Sequence, residues 1–158
     1  MATITIKNCC RFLVTGVMLA TTLAAEQSND ELVQKDHKQI EGTWRVVALE
    51  VNGTKTPEED SKKITVVNGS DGTWSIRSEG KEITKGTSKI YPTQKPKIID
   101  FTATEGDRKG EVHLGIYILG EKTRKLCFAP PGKARPTEFS SAAGSDHILV
   151  TFAREKAK

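Results

Sequence analysis

Cysteine is scarce in this chain, with three residues in all. Cys9 and Cys10 precede an apolar segment and are expected to leave with it, so Cys127 is the one thiol of the mature chain. A single thiol cannot form an internal disulfide, and the domain must therefore be held together by a hydrophobic core. A mature length of roughly 130 residues is sufficient, because a chain of that size buries about two-thirds of its unfolded surface.

Acidic residues are absent from the N-terminal segment, where the first carboxylate is Glu26. Two basic residues precede an apolar run from Phe12 to Ala25 that ends in small side chains. A basic start, a short apolar run and small residues at its end are typical of a secretory signal peptide. Because the run is shorter than the roughly 20 residues that span a bilayer, a membrane anchor is the weaker alternative. We predict a signal peptide at residues 1–25, cleaved near Ala24 or Ala25.

No second long apolar run and no block of like charges follows this segment. The first absence argues against a membrane-spanning helix in the mature chain. The net charge is +4, and charges of both signs alternate along the sequence. Such alternation is typical of a solvated surface and argues against nucleic acid as the partner. The mature protein is expected in a periplasm or outside the cell.

Turn residues and the spacing of apolar side chains predict the secondary structure. Residues 26–31 are polar and predict a linker, and a short helix is expected from Asn29 or Asp30 to about Glu41, ended by Gly42. Beyond Gly42 the apolar spacing changes to the alternation that is typical of strands. The expected strands are Thr43–Val51, Lys63–Val67, Thr73–Arg77, Glu82–Tyr91, Lys97–Thr102, Glu111–Leu119, Lys122–Ala129 and residues 147–154.

The order of these elements predicts an all-β fold. Eight sequential strands joined mostly by short turns, with no long helix between them, favour an antiparallel meander that closes into an up-and-down barrel. A sandwich of two β-sheets has the same strand count and is the alternative. No internal repeat and no second domain is evident, so residues 32–158 are assigned to one β-barrel domain that carries a short N-terminal helix.

Gly42, Trp44 and Arg154 form a pattern at the two ends of the predicted barrel. Gly42-Thr43-Trp44 opens the first strand directly after the helix, and Arg154 ends the last strand. This pairing resembles the lipocalins, in which a G-x-W motif begins the first strand and a basic residue near the end of the chain covers the tryptophan. The resemblance implies a tryptophan that closes one end of the barrel, with a guanidinium stacked on its outer face.

Further motifs follow one another along the mature chain. They are Gly42-Thr43-Trp44-Arg45-Val46-Val47, Lys95-Pro96-Lys97-Ile98-Ile99-Asp100, Leu114-Gly115-Ile116-Tyr117, Leu126-Cys127-Phe128-Ala129-Pro130-Pro131-Gly132-Lys133 and Arg135-Pro136-Thr137-Glu138-Phe139. Together they resemble a family of uncharacterised, often exported domains that is abundant in planctomycete-type bacteria. The resemblance covers nearly the whole mature chain. It implies a lipocalin-like fold and an exported protein, and it implies no activity.

Residues suited to metal binding or catalysis are few and far apart. The three histidines, His37, His113 and His147, fall on the helix and on two different strands, without a spacing that is typical of a metal site. Cys127 lies on the face opposite the most apolar positions of its strand, which favours a small buried side chain over a nucleophile. The sequence therefore predicts no catalytic residue, no metal and no cofactor.

The barrel interior is the remaining candidate site. Continued alternation from Trp44 places Val46, Ala48 and Glu50 inside. The inward residues expected from the other strands are Trp74, Ile76, Ile99, Phe101, Tyr117, Phe128, Val150 and Phe152. Eight-stranded barrels are just wide enough to hold one small molecule or to be filled by side chains, and the short strands here favour a filled core.

Three functions remain open at this point. The leading hypothesis is a non-enzymatic module that takes a small, largely apolar ligand in the barrel mouth, with a wall formed by Glu50, Trp74, Ile76, Phe101 and Tyr117. The alternative is an interaction or inhibitor domain with a filled core, which docks on another protein through the rigid Pro130–Pro136 loop. An enzyme is the third hypothesis. A cavity of about 300 Å³ or more favours the first, and a solid interior favours the second.

Overall fold

The structure is a computed structural model that describes residues 20–156. Within them, a long helix precedes a series of strands and one short helix. In chain order the elements are α1 (Ala20–Ile40), β1 (Gly42–Val51), β2 (Thr54–Lys55), α2 (Glu58–Ser61), β3 (Ile64–Asn68), β4 (Thr73–Ser78), β5 (Lys81–Tyr91), β6 (Lys97–Glu105), β7 (Val112–Leu119), β8 (Thr123–Phe128) and β9 (Ile148–Arg154). Most of the predicted signal peptide lies outside the described residues, so it stays a prediction.

Eight of the strands form a closed antiparallel barrel. β1 pairs with β3, and each later strand pairs with the next along the chain, while the two-residue β2 pairs with the end of β1. Pairing of β1 with β9 joins the two edges of the sheet, so the barrel has no open edge. The prediction of an all-β up-and-down barrel is confirmed, and the two-sheet sandwich does not describe this chain.

Helix α1 begins earlier than the sequence predicts. It starts at Ala20, so residues 26–31, which were expected to form a polar linker, are helical. Because no glycine or proline interrupts Ala20–Ile40 and most of its residues are good helix formers, backbone propensity allows the helix to extend past the expected cap at Asn29 or Asp30.

Helix α1 lies across the end of the barrel at which β1 begins, which we call the base; the opposite end is the mouth. Ile40 of the helix is buried in the core. Asp36 is also buried, and its Oδ2 accepts hydrogen bonds from the Tyr117 hydroxyl at 2.6 Å and from Lys97 Nζ at 2.7 Å. A buried carboxylate is tolerated when it has such partners. These contacts fasten the helix to β6 and β7.

Trp44 closes the base together with Arg154. The indole is fully buried, and its Nε1 donates a hydrogen bond of 2.7 Å to the Ile40 carbonyl. Arg154 donates to the carbonyls of Glu41 and Gln39, and its guanidinium carbon lies 4.2 Å from the centre of the Trp44 ring. The carbonyl groups at the end of a helix have no partner within the helix. Here two side chains of the barrel supply the missing donors.

Gly42 makes this arrangement possible. Its φ is +106°, a backbone conformation that residues with a side chain rarely adopt. A Cβ at this position would also stand 3.2 Å from Nη1 of Arg154. The glycine of the G-x-W motif is therefore required both by the reversal from helix to strand and by the close approach of the guanidinium.

Strand β1 contains a bulge at Val47. Val46 pairs with Phe152, and Ala48 pairs with the next residue of β9, so Val47 has no partner of its own. An extra residue in one strand shifts the alternation of inward and outward side chains by one position. Ala48 is consequently exposed. The expectation that Ala48 and Glu50 point into the barrel is wrong for this reason.

The long connection between β8 and β9, residues 129–147, folds back along the outside of the barrel, and we call it the strap. Arg135 fastens its first half. The guanidinium forms an ion pair with Asp100 at 2.6 Å and donates hydrogen bonds to the carbonyls of Gly115 at 2.7 Å and Ile99 at 3.2 Å. The Pro130–Pro136 loop is thus held against β6 and β7, and Pro136 is buried.

Replacement of Trp44 by alanine tests the role of the indole in closing the base. The substitution removes a fully buried aromatic side chain and a donor to the helix end. We expect the free energy of unfolding, measured by urea denaturation, to fall by about 3–5 kcal/mol. A loss below about 1 kcal/mol would mean that the base does not depend on this residue.

Replacement of Tyr117 by phenylalanine tests the contact between helix and barrel. Loss of the hydroxyl leaves Lys97 as the one remaining side-chain partner of Asp36 among the described residues. We expect the free energy of unfolding at neutral pH to fall by about 1–3 kcal/mol.

The same variant has a characteristic pH dependence. Burial and the hydrogen bond to Asp36 raise the pKa of Tyr117 above its ordinary value of 10.0. The folded state therefore holds the phenol proton more tightly, and the stability from this group is complete below pH 10.0 and is lost as the pH rises beyond it. Urea titrations from about pH 8 to 11 should show a shallower decline for Tyr117→Phe than for the wild type. Tyr91→Phe, on the half-buried tyrosine at the end of β5, should decline as the wild type does.

Candidate ligand cavity in the barrel

The barrel encloses a cavity of about 280 Å³ that is open to solvent on one side. It extends from Trp74, near the base, to Ile64, Arg108 and Ile148 at the mouth. Nearly all the intervening side chains on its wall are aliphatic or aromatic. The volume is close to the lower end of the range for small-molecule sites, roughly 300–1,000 Å³. The interior is therefore not completely filled, contrary to the expectation from strand length.

Aromatic rings line one side of the cavity from the base to the mouth. Trp74 packs edge-on against Phe101 with ring centres 6.1 Å apart, and Phe101 packs against Phe128 at 5.8 Å. His113 continues the series at the mouth, 5.8 Å from Phe128. Gly86 on β5 leaves room for the first ring, since a Cβ there would come within 2.5 Å of the Trp74 indole. These edge-to-face contacts hold the wall in one arrangement.

Arg124 forms the floor of the cavity. It points inward from β8, and only 3 % of its surface is exposed. The guanidinium carbon lies 4.6 Å from the centre of the Phe152 ring and 5.0 Å from that of Trp44, and Nη1 donates to Asn68 Oδ1 at 3.3 Å. Burial, and to a smaller extent the charge of Arg154, lower the pKa of Arg124 to about 9. The side chain is therefore still a cation at neutral pH.

Three buried donors around this floor have no acceptor among the residues that the structure describes. They are Arg124 Nε, Asn68 Nδ2 and Trp74 Nε1. Asn68 and Trp74 face each other across the β3–β4 pair, and Arg124 reaches Asn68 from β8. Arg124 is also in no ion pair with a carboxylate of residues 29–156. A buried donor that finds no acceptor costs about 1–3 kcal/mol, and more if it is charged.

Two further nitrogen-bearing side chains border the mouth. Arg108 lies in the turn between β6 and β7. His113 is the second residue of β7, with Nδ1 3.1 Å from the Ala129 carbonyl and Nε2 3.6 Å from a carboxylate oxygen of Glu111. The acceptors at the mouth are therefore those around His113.

Three of the five residues expected on the ligand wall line the cavity. Trp74, Ile76 and Phe101 do so. Glu50 does not, because the bulge in β1 turns it to the outer surface, where it accepts a hydrogen bond of 2.7 Å from Ser141 of the strap. Tyr117 does not either, because its hydroxyl is bound to Asp36 at the base. Both assignments to the ligand wall are corrected.

Cys127 lies under the strap, as a small buried side chain on the outer face of the barrel. It is fully buried, and Sγ is 3.2 Å from the Ser140 carbonyl. Burial raises the pKa of the thiol, which keeps it protonated and weakly nucleophilic. This environment does not suit a catalytic cysteine.

Residues 20–156 also contain no group of three or more histidine, cysteine or acidic side chains arranged to hold a metal ion. In the same part of the chain, no helix combines the length and the apolar character needed to cross a membrane.

Sequence reasoning missed Arg124 and Asn68. A signal for Arg124 is present, because it occupies the same face of its strand as Leu126 and Phe128, both of which line the cavity. A charged residue at an inward position of an alternating strand is unusual enough to mark a site. Asn68 carries no such signal, because Asn68-Gly69 has the composition of an ordinary turn.

Comparison of the chain with protein-family models, with curated proteins and with solved structures gives no match. The resemblance to uncharacterised exported domains therefore stays a prediction from motifs. A functional conclusion has to come from the chemistry of the cavity.

The two arginines that contact Trp44 allow a matched test of the floor. Arg154→Met removes the donors to two carbonyls at the helix end, and we expect the free energy of unfolding to fall by about 2 kcal/mol. Arg124→Met replaces an unpaired buried cation by an apolar side chain of similar length. Because an uncompensated buried charge is destabilising, stability should be unchanged or rise by about 1–3 kcal/mol. Urea denaturation of both variants measures the difference, and an equal loss in the two would refute it.

Proposed function

We propose that this protein is a non-enzymatic binding module that takes a small, largely apolar ligand into the mouth of the barrel. The observation that carries the proposal is the open cavity of about 280 Å³, whose wall is built from side chains such as Ile76, Phe101 and Val150. An apolar molecule that enters it removes both its own surface and that of the wall from water.

The architecture supports ligand binding inside the barrel in a second way. The barrel is closed by hydrogen bonds around its full circumference, and its base is sealed by helix α1 and Trp44. The wall is therefore formed before a ligand arrives, and little conformational entropy is lost on binding. Export, which the N-terminal sequence predicts, suits a protein that binds its ligand outside the cytoplasm.

Docking on another protein through the Pro130–Pro136 loop is the weaker candidate. Arg135 and Pro136 are committed to the barrel wall, which leaves residues 131–134 as the exposed part of that loop. Such a short segment offers little surface compared with the roughly 800 Å² that each partner contributes to a standard interface.

A cavity-filling substitution tests the proposed function. Ala103 is a small residue on the cavity wall, and Ala103→Phe places a phenyl ring in the open space. Binding of a neutral, apolar fluorescent dye such as N-phenyl-1-naphthylamine should weaken by about 10-fold or more, because the volume that the dye needs is occupied. The matched control is Ala48→Phe, which makes the same change at an exposed position on the outside of the barrel and should leave dye binding unaltered.

Two results would contradict the proposal. One is a wild-type protein that neither binds the dye nor gains thermal stability from any member of a panel of apolar compounds. The other is equal dye affinity in Ala103→Phe and the wild type, which would place dye binding elsewhere on the surface.

A further inference from the structure

We infer that the ligand is a single-chain amphiphile with a carboxylate head, bound head-first so that the carboxylate meets Arg124, Asn68 and Trp74 at the floor while the tail fills the apolar cavity. This inference rests on the proposed function, because it specifies what occupies the same cavity. It is carried by Arg124, a nearly buried cation on the lining of an otherwise apolar space, and by Asn68 and Trp74, which lie on the same lining and each have a side-chain donor without an acceptor among the described residues.

The first argument is the kind of polar group at the floor. Arg124 Nε, Asn68 Nδ2 and Trp74 Nε1 are all donors. An ionised carboxylate is a pure acceptor with two oxygens, so it can bond to several donors without introducing a donor of its own. An alcohol or an amide head would bring an N–H or O–H group that also needs a partner. The acceptor on Asn68, Oδ1, is already engaged by Arg124.

The second argument is charge. Arg124 is almost completely buried and in no ion pair within the described part of the chain, and Arg154 adds a second cation on the same tryptophan ring. A buried guanidinium without an anion is strongly unfavourable, and a hydrogen-bonded carboxylate beside it offsets that penalty. A neutral or cationic head would not. The planar fork of a guanidinium also matches the geometry of a carboxylate.

The third argument is direction. From the floor, the space leads past Phe101 and Phe128 to the mouth, where Arg108 is on the lining. An alkyl chain anchored at Arg124 therefore lies along the aromatic side of the cavity, with its end towards solvent. Arg108, at the mouth, is the other arginine on the cavity lining. A carboxylate bound to Arg108 would place the tail at the floor, and the experiment has to distinguish this orientation from the inferred one.

Calorimetric titration of the wild type with decanoate and with decanol at about pH 7.5 tests the inference. The two ligands have the same chain length, and decanoate is ionised because carboxylates titrate near pH 4. Hydrogen bonds to a charged group are expected to make decanoate bind about 10- to 100-fold more tightly than decanol. In Arg124→Met this preference should disappear while decanol still binds. Arg77→Met, which removes the same charge from the exposed outer face of β4, should retain the preference.

The outcomes separate this inference from the proposed function. If the wild type binds the neutral dye and decanol but shows no preference for decanoate, the carboxylate site is refuted and the apolar cavity stands. If Arg108→Met abolishes the preference and Arg124→Met does not, the head lies at the mouth and head-first binding is refuted. If the wild type binds neither the dye nor either decyl ligand, the proposed function fails first.

Discussion

The fully buried indole of Trp44 donates its N–H to the end of helix α1 and carries the guanidinium of Arg154 on its outer face. This contact joins the first strand, the last strand and the helix. The barrel closes at the β1–β9 pair, where Trp44 and Arg154 are opposite each other. These two residues therefore belong both to the strand pair that closes the barrel and to its base. Gly42 is needed because only its backbone conformation brings the helix end within reach of both side chains.

The closed base also determines the chemistry of the cavity above it. The inner side of the Trp44 ring is contacted by the second guanidinium, that of Arg124. Arg154 is half-buried and donates hydrogen bonds to helix carbonyls. Arg124 packs against aromatic rings and donates to one amide oxygen. One arginine therefore stabilises the fold, and the other has a donor, Nε, without an acceptor among the described residues. Buried polar groups without a partner are few in folded proteins.

The outer wall is organised by different residues. The bulge in β1 turns Glu50 outward to meet Ser141, and Arg135 holds the other half of the strap against Asp100 and two carbonyls. Cys127 is enclosed as a result. The motif residues Cys127 and Arg135 thus belong to the packing of the strap on the barrel, and they lie outside the cavity.

The sequence by itself predicted the order of the strands and favoured a meander, because alternation and turn residues are local properties. The β1–β9 pairing decided that the meander closes into a barrel and does not form the alternative two-sheet sandwich. It also indicated the roles of Gly42, Trp44 and Arg154 through their positions at the two ends of the chain's β region. The tertiary structure alone decided which alternating residues reach the cavity. A single bulge reversed the direction of Glu50, and Tyr117 is hydrogen-bonded to Asp36 of the helix. At the floor, Arg124 of β8 meets Asn68 of β3, which is distant from it in sequence. Such a site depends on the register of the strands and on closure of the barrel, and a local sequence pattern specifies neither.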